Sequence, residues 1–497
     1  MKKFLSLALA MILVVAAFTT IFTFSAAAVE EEGVITPDTS WYDETKTELE
    51  IADAADFLGF AVLLQGVKDG DTVVKEPVTF KDKVVKLTAN IDVNPGWNAK
   101  EYIINLTDEG EGSDMTFAIP PANEWPIKDK GPVFLGTLDG QDHYVAGIYA
   151  PFNQGHDAAL FGSAGSDPEV AVTIKNIAFL NSYVELGGCR VGGLLANGAG
   201  PVTFENIYND INIYSWRKDQ TDLTGAFMGY ATYSGTGNIT FKDCVYAGTM
   251  VAHTMMLSGF IGGVNAAGQT VKYEDCLMTG TMIGGSAQAA YTTKNKGIIE
   301  MDNCVVNGTF DSDKAYLFAR DLRSGEANSI VTRSNLYVEV ECKGIYQLHQ
   351  NNTVDNPIAT KVTVENLKNI KNNGFDDWTA TLEDGGIKMP ITTALAETVK
   401  AFKLPTNEEP DVGGNENDTT DTDNTTGDDT NDTTANTNEN ENTTNTTDNK
   451  TSETSAATAD TSADGKKGCG GIIGTGVIAM VAVTGAALEM GAKKKED

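Results

Sequence analysis

Apolar and polar residues alternate along the middle of the chain with the period of two expected of half-buried strands. The alternation comes in copies. Successive segments read Val-Thr-Ile-Lys-Asn-Ile-Ala-Phe (172–179), Val-Thr-Phe-Glu-Asn-Ile-Tyr-Asn (202–209), Ile-Thr-Phe-Lys-Asp-Cys-Val-Tyr (239–246), Val-Lys-Tyr-Glu-Asp-Cys-Leu-Met (271–278) and Ile-Glu-Met-Asp-Asn-Cys-Val-Val (299–306), with a weaker copy at 330–337. Apolar residues fall two and four places before the Asn or Asp and usually one and three places after it. The strand parity therefore flips at Asn176, Asn206, Asp243, Asp275 and Asn303. A one-residue corner produces such a flip, and Asn and Asp tolerate the left-handed backbone it needs. The corner side chains themselves are expected to be solvated.

A second apolar element alternates with the first: Ala159-Leu160-Phe161-Gly162, Gly193-Leu194-Leu195-Ala196, Ala226-Phe227-Met228-Gly229, Gly259-Phe260-Ile261-Gly262 and Tyr316-Leu317-Phe318-Ala319. Repeats of about thirty residues with two or three short strands each suit a parallel β-solenoid, one turn per repeat. A stack of antiparallel hairpins would not return the same residue type to the same point in each copy. Cys244, Cys276 and Cys304 take the place of Ile177 and Ile207 just after the corner. They are expected to form an inward ladder of buried thiols, since neighbouring strands lie ~4.8 Å apart and free cysteine packs as a small hydrophobe.

The two ends read differently. Residues 1–28 have the charged start (Lys2, Lys3), apolar stretch and small-residue end (Ala26-Ala27-Ala28) of a secretory signal. Residues 468–492 are long and apolar enough to cross a bilayer as a helix, and Lys493, Lys494 and Lys495 stop the span on the cytoplasmic side. Between fold and anchor, 405–466 is an Asn/Thr/Asp-rich tract too polar to pack, and is expected to be a disordered linker. The expected plan is signal 1–28, N-terminal cap and first strands 29–130, β-helix repeats 131–345, closing segment 346–404, linker 405–466, membrane anchor 468–492 and a cytoplasmic tail 493–497. The chain is thus expected to be exported and held at the cell surface by a single C-terminal helix in the cytoplasmic membrane.

A net charge of -33 gives no electrostatic reason to approach phosphate backbones, so nucleic acid is excluded as a partner. No zinc spacing, phosphate loop or nucleophile elbow is present, and neither a cofactor nor a metal is expected.

With Gly192-Gly193-Leu194-Leu195-Ala196 and Ser258-Gly259-Phe260-Ile261-Gly262 alternating with the Asn/Asp-Cys segments, the chain resembles the GLUG-motif family of bacterial surface proteins. Upstream, Trp41-Tyr42, an amphipathic stretch at 53–65, Asn90-Ile91-Asp92-Val93 and Gly136-Thr137-Leu138-Asp139-Gly140-Gln141-Asp142-His143 extend the likeness. Asp377-Trp378 and Gly385-Gly386-Ile387-Lys388-Met389-Pro390 resemble the family's closing segment. The resemblance implies an all-β, right-handed parallel β-helix with an N-terminal capping helix. It implies no chemistry, because the fold hosts many functions.

Two functional classes follow. A non-catalytic adhesion or binding module for glycan or protein partners, expected to be monomeric, is the first. A polysaccharide lyase or hydrolase is the alternative, and would need paired carboxylates or an acidic calcium site. Asp139, Asp142 and His143 form the densest cluster, although Asp139-Gly140 also reads as a turn. Asp243 and Asp275 on adjacent corners are the only carboxylates of the corner series. His156, His253 and His349 are isolated in sequence. The longest corner-to-corner interval, Asn206 to Asp243, points to an excursion over 209–222 carrying Tyr214, Trp216, Arg217 and Lys218, an aromatic and basic group suited to ligand binding. The alternative role for Trp216 is to fold back and cover the flank.

Overall fold

Parity reversal at a single residue bends each long strand instead of ending it. In the computed structural model Asn176, Asn206, Asp243, Asp275 and Asn303 all adopt the left-handed backbone, with φ between 51° and 53°. The described residues are 33–69, 72–107, 120–127, 132–152, 158–187, 190–216, 223–231, 237–266, 268–321, 330–333, 335–338, 345–349, 359–373 and 375–405. The expected signal 1–28, the expected linker 405–466 beyond Pro405, the expected anchor 468–492, Cys189, Cys342 and His156 lie outside them.

The corners stack because the strands pair in parallel and in register. Val172, Val202, Ile239, Val271 and Ile299 form one inward row, and Ile174, Phe204, Phe241, Tyr273 and Met301 the next. The result is a parallel β-solenoid of about seven turns. The glycine-flanked segments close the circuit as short strands, among them Leu195–Gly198, Met228–Ala231 and Ile261–Val264, again parallel and in register. Any side chain on Gly193 would collide with the carbonyl of Ala226 on the next turn, so glycine there permits the close backbone approach.

Aromatic rings fill the interior. Phe204, Phe241 and Tyr273 stack nearly parallel at 5.0 and 5.1 Å, while Phe227, Phe260 and Tyr291 form a second stack at 5.0 and 4.8 Å. The two stacks meet edge to face, as at Phe227 and Phe241. This arrangement suits the ring quadrupole, and each full burial stabilises the fold by ~1.5–3 kcal/mol. Cys244 pairs in register with Cys276, and Cys304 follows on the next turn; all three are buried free thiols.

One outward face carries a ladder of charges of mostly alternating sign: Glu50, Lys86, Asp139, Lys175, Glu205, Lys242, Glu274 and Asp302. Opposite charges on neighbouring rungs remove the repulsion that a uniform ladder would impose. Lys175 lies 3.3 Å from Asp139, and Lys242 3.7 Å from Glu205.

Helix α1 (Ala54–Gln65) starts at Asp53, whose side chain accepts from the N–H of Asp56, and ends at Gly66 with φ 72°. Phe57, Leu58, Phe60, Ala61, Leu63 and Leu64 are all buried. A helix apolar nearly all round must be enclosed. It joins the interior through Phe60 against Phe134 and Phe161, and Phe57 against Trp125, and so plugs the N-terminal end.

The second flank has an outward row that is also apolar: Ala178, Tyr208, Val245, Leu277, Val305 and Leu336. It is covered by the chain's own closing segment. Thr360–Val362 pairs with Leu336–Val338, and from there Leu367, Ile370, Phe375, Trp378, Ile391 and Leu395 are buried along the flank. Helix α2 (Ala99–Thr107) crosses the third flank; helix α3 (Val364–Lys368) belongs to the closing segment, as does α4 (Thr393–Ala401), which packs on the early strands Thr137–Ala146 and Val172–Leu186. The segment is therefore a strap running back from the last turn toward the first. One corner lies under it: Asn206 is 3% exposed, contrary to the expectation of solvated corner residues, whereas Asn176, Asp243, Asp275 and Asn303 are half-buried. The Asn206 amide donates to Asn176, Asp142 and Thr392.

Candidate functional site

The predicted excursion at 209–222 does not begin at Asn209, and 217–222 lie outside the described residues. Residues up to Ser215 continue the strand Val202–Ser215, in register with Ser182 to Leu186 below and with Met250 to Ala252 above. Ile211 and Ile213 point into the core, which keeps this stretch in the ladder and places Tyr214 on the outward side. Arg217 and Lys218 lie outside the described residues.

Tyr214 stands directly above Glu185 and directly below Val251, which is followed by Ile283. Ser215 pairs with Leu186 and Ala252, so Trp216 follows beside Gly187 on one side and His253 on the other. Any side chain on Gly187 would overlap the indole of Trp216, which lies down against the backbone of that turn. The ring is nevertheless 38% exposed. It packs on the flank at Gly187 and stays partly exposed. Tyr214 Oη and His253 Nε2 are 3.3 Å apart, with His253 exposed.

Below this patch, α2 lies on a tyrosine cluster. Tyr102 meets Tyr149 and Tyr183 edge to face, and Tyr149 stacks on Tyr183 at 5.9 Å. Tyr183 Oη donates to Glu185 Oε2 across 3.3 Å. Burial pushes the Glu185 carboxyl above its ordinary range, and the Tyr183 hydroxyl partly opposes this. Lys100 of α2 pairs with Asp210 at 3.3 Å; burial raises Asp210 to about 6 against that pairing. Helix α2 is thereby held by an ion pair and a bed of rings; Tyr214 packs half-buried against the same cluster, while Trp216 and His253 are exposed.

Glu185 was not picked out from sequence, and His253 was read there only as an isolated histidine. The signal was present in the register, because Trp216 and His253 each fall ten residues past their corners at Asn206 and Asp243.

The other candidates resolve into framework. Asp139 accepts from Asn176 and the Gln141 N–H and pairs with Lys175; burial opposes ionisation, but these donors hold the carboxyl below its usual range. Asp142 accepts from Asn206 and Thr392, and His143 Nδ1 lies 3.2 Å from Asn90 Oδ1. Asp275 accepts the Trp378 indole N–H at 2.9 Å. Burial pushes its neighbour Asp243 up to about 7, Lys242 lowers it in part, and the carboxylates of Asp275 and Glu205 push it up further. Among the described residues, no three His, Cys, Asp or Glu side chains converge to hold a metal ion. The groove of about 490 Å³ bounded by Lys81, Lys83, Gly136, Asp167 and Glu169 lies at the N-terminal rim, away from the aromatic patch. No helix among the described residues is long and apolar enough to cross a membrane. Compared with known proteins, the chain matches no family model, no curated protein and no solved structure.

Proposed function

We propose that the chain is an exported, membrane-anchored surface protein whose solenoid is a non-catalytic binding module, with the flank of Tyr214, Trp216 and His253 as its contact surface. One observation carries this reading. Among the described residues the exposed large hydrophobics are Val34, Val67, Val73, Val74, Trp216, Val364 and Leu404, so Trp216 is their single aromatic. Tryptophan is the side chain that contributes most to contact surfaces per residue, and here it sits on a rigid sheet beside a tyrosine and a histidine. The sequence resemblance to GLUG-motif surface proteins, the signal-like start and the apolar C-terminal stretch support a place at the cell surface.

The glycan-degrading alternative would draw on the ladder of Asp139, Lys175 and Glu205, which sets carboxylates beside lysines. Asp139 is engaged by Asn176, Gln141 and Lys175, which makes it a poor general acid or base. The test is attachment of cells carrying the full-length chain or its Trp216→Ala variant. Weakened attachment at equal surface amount is expected, with the chain still folded despite some loss of stability from the uncovered flank; unchanged attachment would remove this surface from consideration, and release of reducing or unsaturated sugar ends by the purified chain would replace the binding reading with an enzymatic one.

A further inference from the structure

We infer that Asp243 and Asp275, on adjacent corners between two contacts of the closing strap, hold one proton between them, and that this proton latches the strap, which loosens as pH rises.

The corner side chains form a series of donors. Asn176 donates its amide to Asp139, and Asn206 donates to Asn176, each across 3.0 Å and each toward the preceding turn. Asn303 bonds to Asp275 in the same direction. Asp243 and Asp275 interrupt the series, because an ionised carboxylate only accepts. The Asn206 oxygen is already met by the N–H of Thr392 at 2.9 Å, so the donor that the series lacks is one between Asp243 and Asp275. Their strands pair Lys242 with Glu274 and Cys244 with Cys276, which sets the two carboxyls on neighbouring rungs ~4.8 Å apart. Like charges so close oppose each other's ionisation. One proton supplies the donor and removes one of the two charges.

The pair is tied to the strap on both sides. Trp378 donates to Asp275, and Thr392 to Asn206, the corner one turn before Asp243. Two places past the aspartates, Val245 and Leu277 share one apolar cluster with Trp378 and Ile391. Docking the strap therefore takes water from the carboxyls, and undocking returns it. Burial raises Asp243 to about 7; Lys242, 3.9 Å away, lowers it in part, and the Asp275 charge raises it again. Burial raises Asp275 too, but the Trp378 and Asn303 donors oppose this. The proton thus sits chiefly on Asp243, while Asp275 keeps the charge that its two donors face.

The surrounding charges are largely engaged elsewhere. Lys242 is shared with Glu205 at 3.7 Å, and Lys272 holds Glu274 at 2.7 Å. Asp302 beside Asn303 is half-buried, and Asp376 and Asp377 beside Trp378 are exposed. On the strap, Lys388 donates to the Thr379 carbonyl, and Lys400 lies 4.0 Å from Asp384. The inward neighbours Cys244 and Cys276 are buried thiols. A proton held more tightly with the strap docked favours docking in acid. That gain is fully present below pH ~4 and fades as pH rises toward ~7.

The experiment is native-state hydrogen exchange of the full-length chain at pH 5 and pH 8, read as protection factors so that the intrinsic pH dependence of exchange cancels. Protection of 359–405 is expected to fall about tenfold between the two, well under the unscreened limit because the pair is partly exposed. In Asp243→Asn, which places an amide donor on that corner, the strap should keep at pH 8 the protection the parent has at pH 5. Asp275→Asn keeps an acceptor for Trp378 and offers Asp243 a donor, and should cut the pH dependence to about twofold or less. A full tenfold dependence in Asp275→Asn would overturn the shared proton and leave burial of Asp243 alone as the cause. Strap protection that does not change with pH in the parent would overturn the latch. Identical protection of the strap and of the core strand Val172–Leu186 at both pH values would overturn it as well, since the strap would then have no opening of its own.

Discussion

The indole of Trp378, in the closing segment, donates its N–H to the carboxylate of Asp275, a corner of the solenoid more than a hundred residues earlier, across 2.9 Å. A second pin lies further along the strap, where the N–H of Thr392 donates to Asn206 and its hydroxyl to Asp142. Phe402 then rests on Tyr144 at 5.2 Å. The strap is therefore held by polar contacts at the corners and by apolar burial between them.

Replacing Trp378 by Phe keeps most of the packing and leaves Asp275 without its indole donor. The expected loss is about 1.5–3 kcal/mol, the range for a hydrogen bond to a charged group. Trp378→Ala should cost ~3–5 kcal/mol. Urea unfolding, with limited proteolysis to show whether 359–405 is cut first, measures both.

Asp243 gives a pH dependence of known sign. Its folded pKa is raised from 3.8 to about 7, so the folded chain holds the proton more tightly than the unfolded one. Its contribution is fully present below pH ~4, falls as pH rises toward ~7, and is constant above that. Asp243→Asn restores the residue found at Asn206 and Asn303 and should stabilise the fold by about 1–2 kcal/mol at pH 8, after discounting for solvent screening at a partly exposed group. At pH 4 the variant and the parent should melt together. A gain of equal size at both pH values would show that ionisation of Asp243 is not the cause.

Asn206 separates backbone from side chain. Asn206→Gly keeps the left-handed corner but loses the bonds to Asn176, Asp142 and Thr392; Asn206→Ala loses both. The alanine variant should be less stable than the glycine variant by ~1 kcal/mol or more. Equal stability in thermal melts would mean that the corner conformation itself costs alanine nothing here.

The ladder of Cys244, Cys276 and Cys304 should resist thiol reagents until the chain unfolds. Burial opposes ionisation of all three, and drives Cys244 and Cys304 well up; S–H donation from those neighbours brings Cys276 down to about 5. Since all three are 0% exposed, access and not acidity limits their reaction. Mass spectrometry after labelling in native buffer should leave these three unmodified. Their rapid modification in the native state would show that the core opens on the labelling timescale.

Sequence by itself determined the solenoid, because its devices are local and repeated. The parity flip at Asn176 and its counterparts, the isoleucine-to-cysteine row behind it, the glycine at Gly193 and the caps Asp53 and Gly66 each follow from backbone sterics acting over a few residues. Tertiary structure decided which outward positions become surface. Val245, Leu277 and Val305 alternate correctly yet face outward and apolar, a choice that makes sense only once Trp378, Ile391 and Leu395 lie over them. The corners were legible as left-handed turns but not as docking points, since Thr392 and Trp378 reach them from far along the chain. The same holds for the candidate site: Tyr214 and Trp216 were visible as aromatics, whereas Glu185 and His253 joined them only through register between turns. Stacking distance is set by strand pairing at ~4.8 Å, so residues some thirty to forty positions apart become neighbours, and no local pattern announces which of them will meet.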